Sequence, residues 1–588
     1  MPEGIGYAPV VDENLVDPHL EIKEKIDFWR SRMQEHLYRF NTHADYWRLI
    51  KPPRPKDLSG FANPQVTETN RATEAIATFM YRALTSAQPN FQLMSSNPMI
   101  SQENLWTREQ VIEWQKTVTN YNRKLLKACR SVALFGTVPV EEPWVMNLPY
   151  WESTGFIPRS LLQVAFDPMA FDISMSGWHA VIEFVTEDML LDLPRRMPGV
   201  WDEEMIRSCI DLSSSEKNLS PELLARLSSA GYTNYAGDSN KTSHLYQLVT
   251  YYGSLRDDKT HSEWVVSTLN DLKTIRGHQL VYRRRPFAFS HLSEFEMEPY
   301  GYGVGRIAET MQPEINQNRG RMHDTITFSL FNIWLANSAA NIKNNQLKAK
   351  PWSVINVDGD PDNSLKALRP QLEGVNFGVI LEKLMKEEFR STTGASDGLQ
   401  AIVTQATATE SSIAQNEAVR RLSVISEMQA EPLLREHISK MDENNRTFLD
   451  QPFSIGVTGN PKPLRVYPAA FDMDVDVQIK VVTDKDFRPE RNKALLQFLQ
   501  IATSIRNQNP QVQQINLEPI VEEFARGVNI NPKRVWSVIP QGPGLPAQAG
   551  GPRIPGGMDR LNQLAGRMNQ IRSQAGELGQ EALEGVAQ

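Results

Sequence analysis

After Asp17-Pro18, apolar residues recur at sums of three and four: Ile22, Ile26, Trp29, Met33, Phe40, Ala44 and Trp47 fall on one stripe. The spacing predicts a helix that starts at the Asp-Pro pair, with the aspartate as cap and the proline at the first helical position. PPRP at Pro52 to Pro55 predicts its end. Further helical patterns run from Asn70 to Leu84 and from about Trp106 to Leu134. From about Gly136 to Phe289 the period shortens. His179 to Thr186, Leu245 to Tyr252 and Glu263 to Leu269 alternate, which predicts strands of a mostly antiparallel sheet. Asp211 to Asn240, rich in Ser, Asn and Gly, reads as a peripheral excursion, and the region as a whole is α+β.

Helical spacing returns after Pro299. Proline cannot continue a regular helix but suits the start of one, so Pro313 predicts a break before PEINQNRGRMHDTITFSLFNIWLA. In that piece Ile315, Met322, Ile326, Leu330 and Ile333 or Trp334 share a face, interrupted by Arg319, Gly320, Arg321 and Asp324. A short excursion follows, with a strand predicted at Trp352 to Val357 and an acidic turn at Asp358 to Asn363. The chain returns as a helix near Val375 to Arg390, with Phe377, Ile380, Leu381, Leu384 and Phe389 on one side. Small polar sequence comes next, RSTTGASDG from Arg390 and QATATES from Gln405. Thr407 and Glu410 have capping-box spacing and predict a helix from about Ala408 to Phe448, kinked a turn upstream of Pro432. A strand at Met473 to Thr483 and helices at Pro489 to Asn507 and Leu517 to Gly527 follow. Between Pro540 and Gly557, 11 of 18 residues are Pro or Gly, which is linker composition. Beyond it Leu561, Leu564, Met568, Ile571, Ala575, Leu578 and Ala582 form an a/d seam of about three heptads, marginal as an isolated helix.

Composition narrows the function classes. The 588 residues are 40% hydrophobic and 22% charged, ordinary for a globular protein, with room for several folding units. The formal charge of -8 argues against a nucleic-acid grip by a basic face. Cys129 and Cys209 lack the spacing of a disulfide framework or zinc site, which fits a reducing compartment. MPEGIGYAPVVDENL has neither the basic nor the apolar region of a secretory signal. Thr325 to Ile342 is uncharged, yet seven of its 18 residues are Thr, Ser or Asn, so it reads as a helix packed on protein and not as a membrane span.

Motifs for catalysis are weak. The chain has no Gly-Lys dipeptide and so no phosphate-cradling P-loop, and GYGVG at Gly301 to Gly305 has the wrong spacing for a dinucleotide fingerprint. It reads instead as a flexible junction before a helix. DGDPDN lacks the glycine and glutamate a calcium loop requires. Neither H-E-x-x-H nor G-x-S-x-G is present. Asp472, Asp474 and Asp476 could hold the cations of a metal-dependent nuclease. Their alternation with Met473, Val475 and Val477 fits a strand with an acidic solvent face better. No catalytic residue, metal or cofactor is expected. Lys343, Lys348 and Lys350 beside Trp352 form a basic group in the excursion between the two helices.

The element order carries a resemblance. An α+β region leads through Tyr300-Gly301 and Gly305-Arg306 into a long helix; PWSVINVDG at Pro351 to Gly359, a returning helix, a small-residue loop and the Thr407 to Glu410 helix entry follow. NRATEAIATFMYRALTSAQPNFQL and KLLKACRSVALFGTVPVEEP precede it. Over about residues 20 to 530 the chain resembles the portal, or head-to-tail connector, proteins of short-tailed double-stranded DNA phages. The resemblance implies a ring, usually of twelve identical subunits, at one capsid vertex. It implies a wing within 1–305, stem helices at 306–336 and 372–390, and a clip at 337–371. A tunnel loop would span 391–406, a kinked helix with inner wing and crown 407–539, a linker 540–557 and a helical barrel 558–588. Arg390, Ser391, Thr392, Thr393, Ser396, Gln400 and Gln405 would line the DNA channel, where small polar side chains let a duplex slide. Lys343, Lys348, Lys350, Trp352, Asp358 and Asp360 of the clip would dock terminase and then tail adaptor proteins. The major capsid protein would be a further partner, with assembly in the host cytoplasm, the virion as final location and no membrane involved. The other readings are a nuclease using the three aspartates and an internal virion scaffold protein.

Overall fold

The computed structural model describes residues 18–51, 61–87, 90–147, 151–196, 200–212, 245–256, 262–330, 333–336, 365–368, 373–395, 420–456 and 463–479. Helices and strands are mixed throughout, so the chain is α+β. Helix α1 (His19–Arg48) follows Pro18, and Leu49 ends it at a left-handed φ of 62°. Its stripe is buried as the spacing predicts, with Leu37 and His43 added and Trp47 only partly covered.

Helix α2 (Glu68–Thr85) leads to strand β1 (Phe91–Met94), and then α3 (Gln102–Val118) and α4 (Tyr121–Phe135) replace the single predicted pattern over 106–134. The break has a local cause. Asn120 sits at φ 55°, and Thr117, Val118 and Thr119 are β-branched weak helix formers.

Strand β2 (Thr137–Glu141) is followed by β3 (Val164–Phe166), β4 (Trp178–Thr186), helices α5 (Glu187–Arg196) and α6 (Glu203–Leu212), then β5 (Leu245–Gly253), β6 (Trp264–Leu269), β7 (Lys273–Gln279) and β8 (Phe287–His291). The five-stranded sheet has the order β7-β6-β5-β4-β3 and is antiparallel at every pairing, with Val181 opposite Thr250 and Tyr251 opposite Val266. The three alternating segments thus form its adjacent central strands. One face carries Ala180, Val249, Tyr251 and Val266 against Ile22, Ile26 and Trp29 of α1. A separate pairing joins β2 to β8, Val140 opposite Ala288. The predicted excursion at 211–240 falls almost wholly outside the described residues.

Gly301 and Gly303 do not form a flexible junction. A Cβ on Gly303 would lie 2.3 Å from the backbone N of Gly136, and one on Gly136, at φ 83°, would lie 2.2 Å from the Gly301 oxygen. Three backbones therefore meet where only glycine fits, an approach locked by the Leu292 N–H to Gly136 O bond (2.8 Å) and the Gly301 N–H to Thr137 Oγ1 bond (2.7 Å).

Helix α7 (Val304–Leu330) runs through Pro313, so the predicted split does not occur. The local loss of a helix hydrogen bond is offset from outside. Fully buried Gln312 donates to Val66 O (2.9 Å) and accepts from the Thr69 hydroxyl (2.7 Å), and Asn316 accepts from Val66 N (2.9 Å). Asp324 accepts from Ala62 N (2.7 Å), and Gly320 lets the Ala62 oxygen pass close by. Polar residues of α7 thus satisfy the 61–67 segment, Asp324 among those that interrupt the stripe.

The helix ends at Leu330, short of the predicted 336. Ile333–Ala336 is strand β9, paired antiparallel with β10 (Leu365–Leu368), so Thr325 to Ile342 is not one packed helix. Ile, Trp and Leu suit a strand. Ile326 and Phe328, near the end of α7, are partly exposed, Phe328 meeting the Phe61 ring edge-on at 6.2 Å.

Helix α8 (Glu373–Thr393) extends three residues past the predicted Arg390. The later long helix is described as α9 (420–430), a π turn at Glu431–Arg435 and α10 (Glu436–Phe448). The irregularity falls at Pro432 itself and not a turn earlier. The Tyr121 hydroxyl donates to Leu433 O within that turn (2.7 Å). Leu433, Leu434 and Ile438 join Ile76, Met80, Leu125, Val132 and Ala308 in the largest core. Finally β11 (Asp476–Ile479) pairs with β1, shorter than the predicted 473–483 strand, whose last four residues lie outside the described set. Also outside it are Trp352 to Val357, the 358–363 turn, the 407–410 capping box and everything from 480 onward.

Candidate functional site

Helices α7 and α8 lie antiparallel, Met322 against Gly378 and Arg319 against Glu382. The β9–β10 pairing joins their sequence-adjacent ends. The side of α8 turned to α7 is not its apolar one. It presents Gly378, whose carbonyl accepts from Asn318 Nδ2 (2.8 Å), and Glu382, 4% exposed. Glu382 accepts from Arg319 Nε (2.7 Å) and contacts Lys386 Nζ (2.6 Å). Burial pushes its carboxyl up, but those two cations outweigh the burial and hold it below the usual carboxylate range. The Arg319 guanidinium is held above its ordinary value by the same bond.

The predicted stripe of α8 divides. Phe389 is fully buried and Leu381 half-buried, while Phe377 is 68% exposed, Ile380 58% and Leu384 56%. The spacing 377, 380, 384 is one helix face, and all three side chains on it are exposed.

Four of the residues expected to line a channel are helical. Arg390 bonds the fully buried Glu68 at the start of α2 (Nε to Oε2, 3.1 Å), and Glu68 also receives Lys386 at 3.8 Å. Thr393 is buried and its hydroxyl donates to Phe389 O (2.9 Å). Ser391 and Thr392 are exposed in the last turn. Arg390 and Thr393 therefore anchor the helix end to the body, and any loop begins after Thr393; only α8's inward face, invisible to stripe counting, distinguishes them. Ser396, Gln400, Gln405, Lys343, Lys348, Lys350, Trp352, Asp358 and Asp360 lie outside the described residues.

The chain matches no protein-family model and no curated protein. Function has to be argued from its own geometry.

Asp472, Asp474 and Asp476 are all exposed, alternating with Phe471 and Val477, which are buried, and with Met473 and Val475, which are partly so. Asp474 Oδ1 accepts from both Arg283 (2.7 Å) and Arg446 (2.9 Å), at the edge of a recess of about 440 Å³ that Glu443 and Thr447 also line. Two guanidiniums thus occupy the carboxylate that a cation would need. Among the described residues no group of three His, Cys, Asp or Glu could hold a metal ion, and no helix is long and apolar enough to cross a membrane.

Proposed function

We propose that this chain is the subunit of a portal: a ring through which double-stranded DNA enters and leaves a phage capsid, docking terminase during packaging and tail adaptor proteins afterward. The observation that carries the reading is the inverted helix pair. Helices α7 and α8 rise from an α+β body, meet through charged side chains, end in a strand pairing and turn Phe377, Ile380 and Leu384 outward. An apolar stripe of this kind needs a cover. Identical copies set side by side supply it repeatedly, which is how a head-to-tail contact closes a ring. The small polar sequence after Thr393 would then face the bore, and residues 337–371 would be the docking clip.

Class averages of the purified full-length chain test the reading. A closed ring with an axial hole is expected; a lone particle without an opening, at every concentration and salt tried, would reject it. Deleting 396–405 is expected to leave the ring intact and to impair packaging or retention of DNA. Normal packaging by that deletion would remove the tunnel-loop assignment.

A further inference from the structure

Two surface loops, one after edge strand β3 of the five-stranded sheet and one after β8, expose large apolar side chains outside the helix pair. In the loop over 167–177 these are Met169 (69% exposed), Phe171 (62%) and Met175 (81%); in the loop over 293–298 they are Phe295 (66%) and Met297 (70%). The loops are neighbours. The His179 Nε2–H donates to the Ile173 carbonyl of the first (2.8 Å), its ring stacks on Phe289 at 5.0 Å, and Phe289 leads through His291 into the second. Asp172 and Glu294, one from each loop, are both close enough to raise the pKa of the His291 ring, against the burial that lowers it.

The exposure is fixed in place. Asp172 accepts from Ser174 N (2.8 Å) and the Ser174 hydroxyl (2.7 Å), Asp167 accepts from Met169 N (3.0 Å), and the Tyr302 N–H holds Ser293 O (2.8 Å). Met297 takes a left-handed φ of 61°, a conformation that costs a methionine about 1 kcal/mol or more, and the side chain it presents is in solvent. The charge is one-sided. The two loops hold Asp167, Asp172, Glu294, Glu296 and Glu298 and contain no lysine or arginine. Arg285 binds the first loop through the Ser176 and Gly177 carbonyls and is paired with Glu263, and Arg39 and Arg306, which act on Tyr302 beside the second loop, have Glu35 and Glu309 as partners.

We infer that these two loops are a docking surface for a basic segment of another protein, one that carries apolar anchors between lysines or arginines. Methionine and phenylalanine supply an adaptable apolar floor. The five carboxylates favour cationic partners and repel acidic ones, including further copies of this acidic chain. The inference does not rest on the ring.

The test uses the intact chain and three labelled 15-residue peptides of matched length: Leu/Phe anchors among Lys/Arg, the same anchors among Glu, and Lys/Arg with the anchors replaced by Ser. Anisotropy should show binding by the first peptide alone, weakening with salt, with hydrogen-exchange protection at 167–177 and 293–298. Met175→Ser with Phe295→Ser should weaken it at least tenfold. Glu294→Lys with Glu296→Lys should transfer preference to the acidic peptide. All four side chains are exposed, and an unchanged melting temperature verifies that each variant is folded. Equal binding by the acidic peptide, binding indifferent to both variants, protection elsewhere, or protection that rises with the chain's own concentration would overturn the assignment.

Discussion

At single residues, geometry assigns sharp costs. Gly303 sits where a methyl group would overlap the backbones of Leu134 and Gly136, neither able to swing aside as a side chain could. Gly303→Ala is expected to destabilise the chain by about 3 kcal/mol, read from denaturant midpoints, whereas Gly374→Ala, with open space around it, should not destabilise it. His179 makes a titration prediction. Its Nε2 donates to Ile173 O while Nδ1 faces Arg285 Nη1 at 3.4 Å, an arrangement for the neutral ring. Burial first, then Arg285, pushes its pKa down to about 4. A histidine depressed in the folded state contributes stability that is whole above its unfolded pKa near 6.5 and is lost as pH falls through about 4. The loss is on the order of 3 kcal/mol. Asp442, raised to about 6 mainly by burial, works the other way over part of that range. The check is therefore a comparison: the stability lost by the parent between pH 7 and 4 should exceed that lost by His179→Gln.

Elements were legible where periodicity alone decided them. The stripe of α1 and the three central strands stand within a residue or two of their predicted limits, because each buries one face in a core and the apolar pattern records that face. Misses came where backbone satisfaction or close approach decided. Pro313 lies inside α7, whose Gln312 and Asn316 bind the 61–67 segment, a partner that no local pattern reveals. The GYGVG stretch looked loose because glycine composition cannot distinguish freedom from contact. In α8 the inward face is Gly378 and Glu382, so stripe counting pointed to the wrong side. The π turn was legible only as a disturbance at Pro432; its seat is Tyr121, more than 300 residues earlier. Tyr121→Phe keeps the stacking on His437 at 5.0 Å but deprives Leu433 O of its donor. A loss of about 1–2 kcal/mol is expected in thermal melts, with faster amide exchange in 431–435.

On the scale of the whole molecule, the proposed ring makes the outward stripe the surface to test. Phe377→Ser with Leu384→Ser removes apolar surface that is mostly exposed on the subunit. Sedimentation velocity should therefore show loss of the assembled species, while the far-ultraviolet spectrum of the subunit stays the same. An assembly undisturbed by the double variant would place the subunit contacts elsewhere. The proposed ring rests on the order of elements, since no single motif in the chain encodes one.

The ladder of ions from Arg319 through Glu382 and Lys386 to Glu68 and Arg390 has a mechanical consequence. Sliding α8 along α7 by one turn would strand buried carboxylates without cations, an arrangement that costs several kcal/mol. The two helices therefore behave as a single strut. The rod that begins at the β9–β10 pairing is seated at its other end on Glu68, at the start of α2.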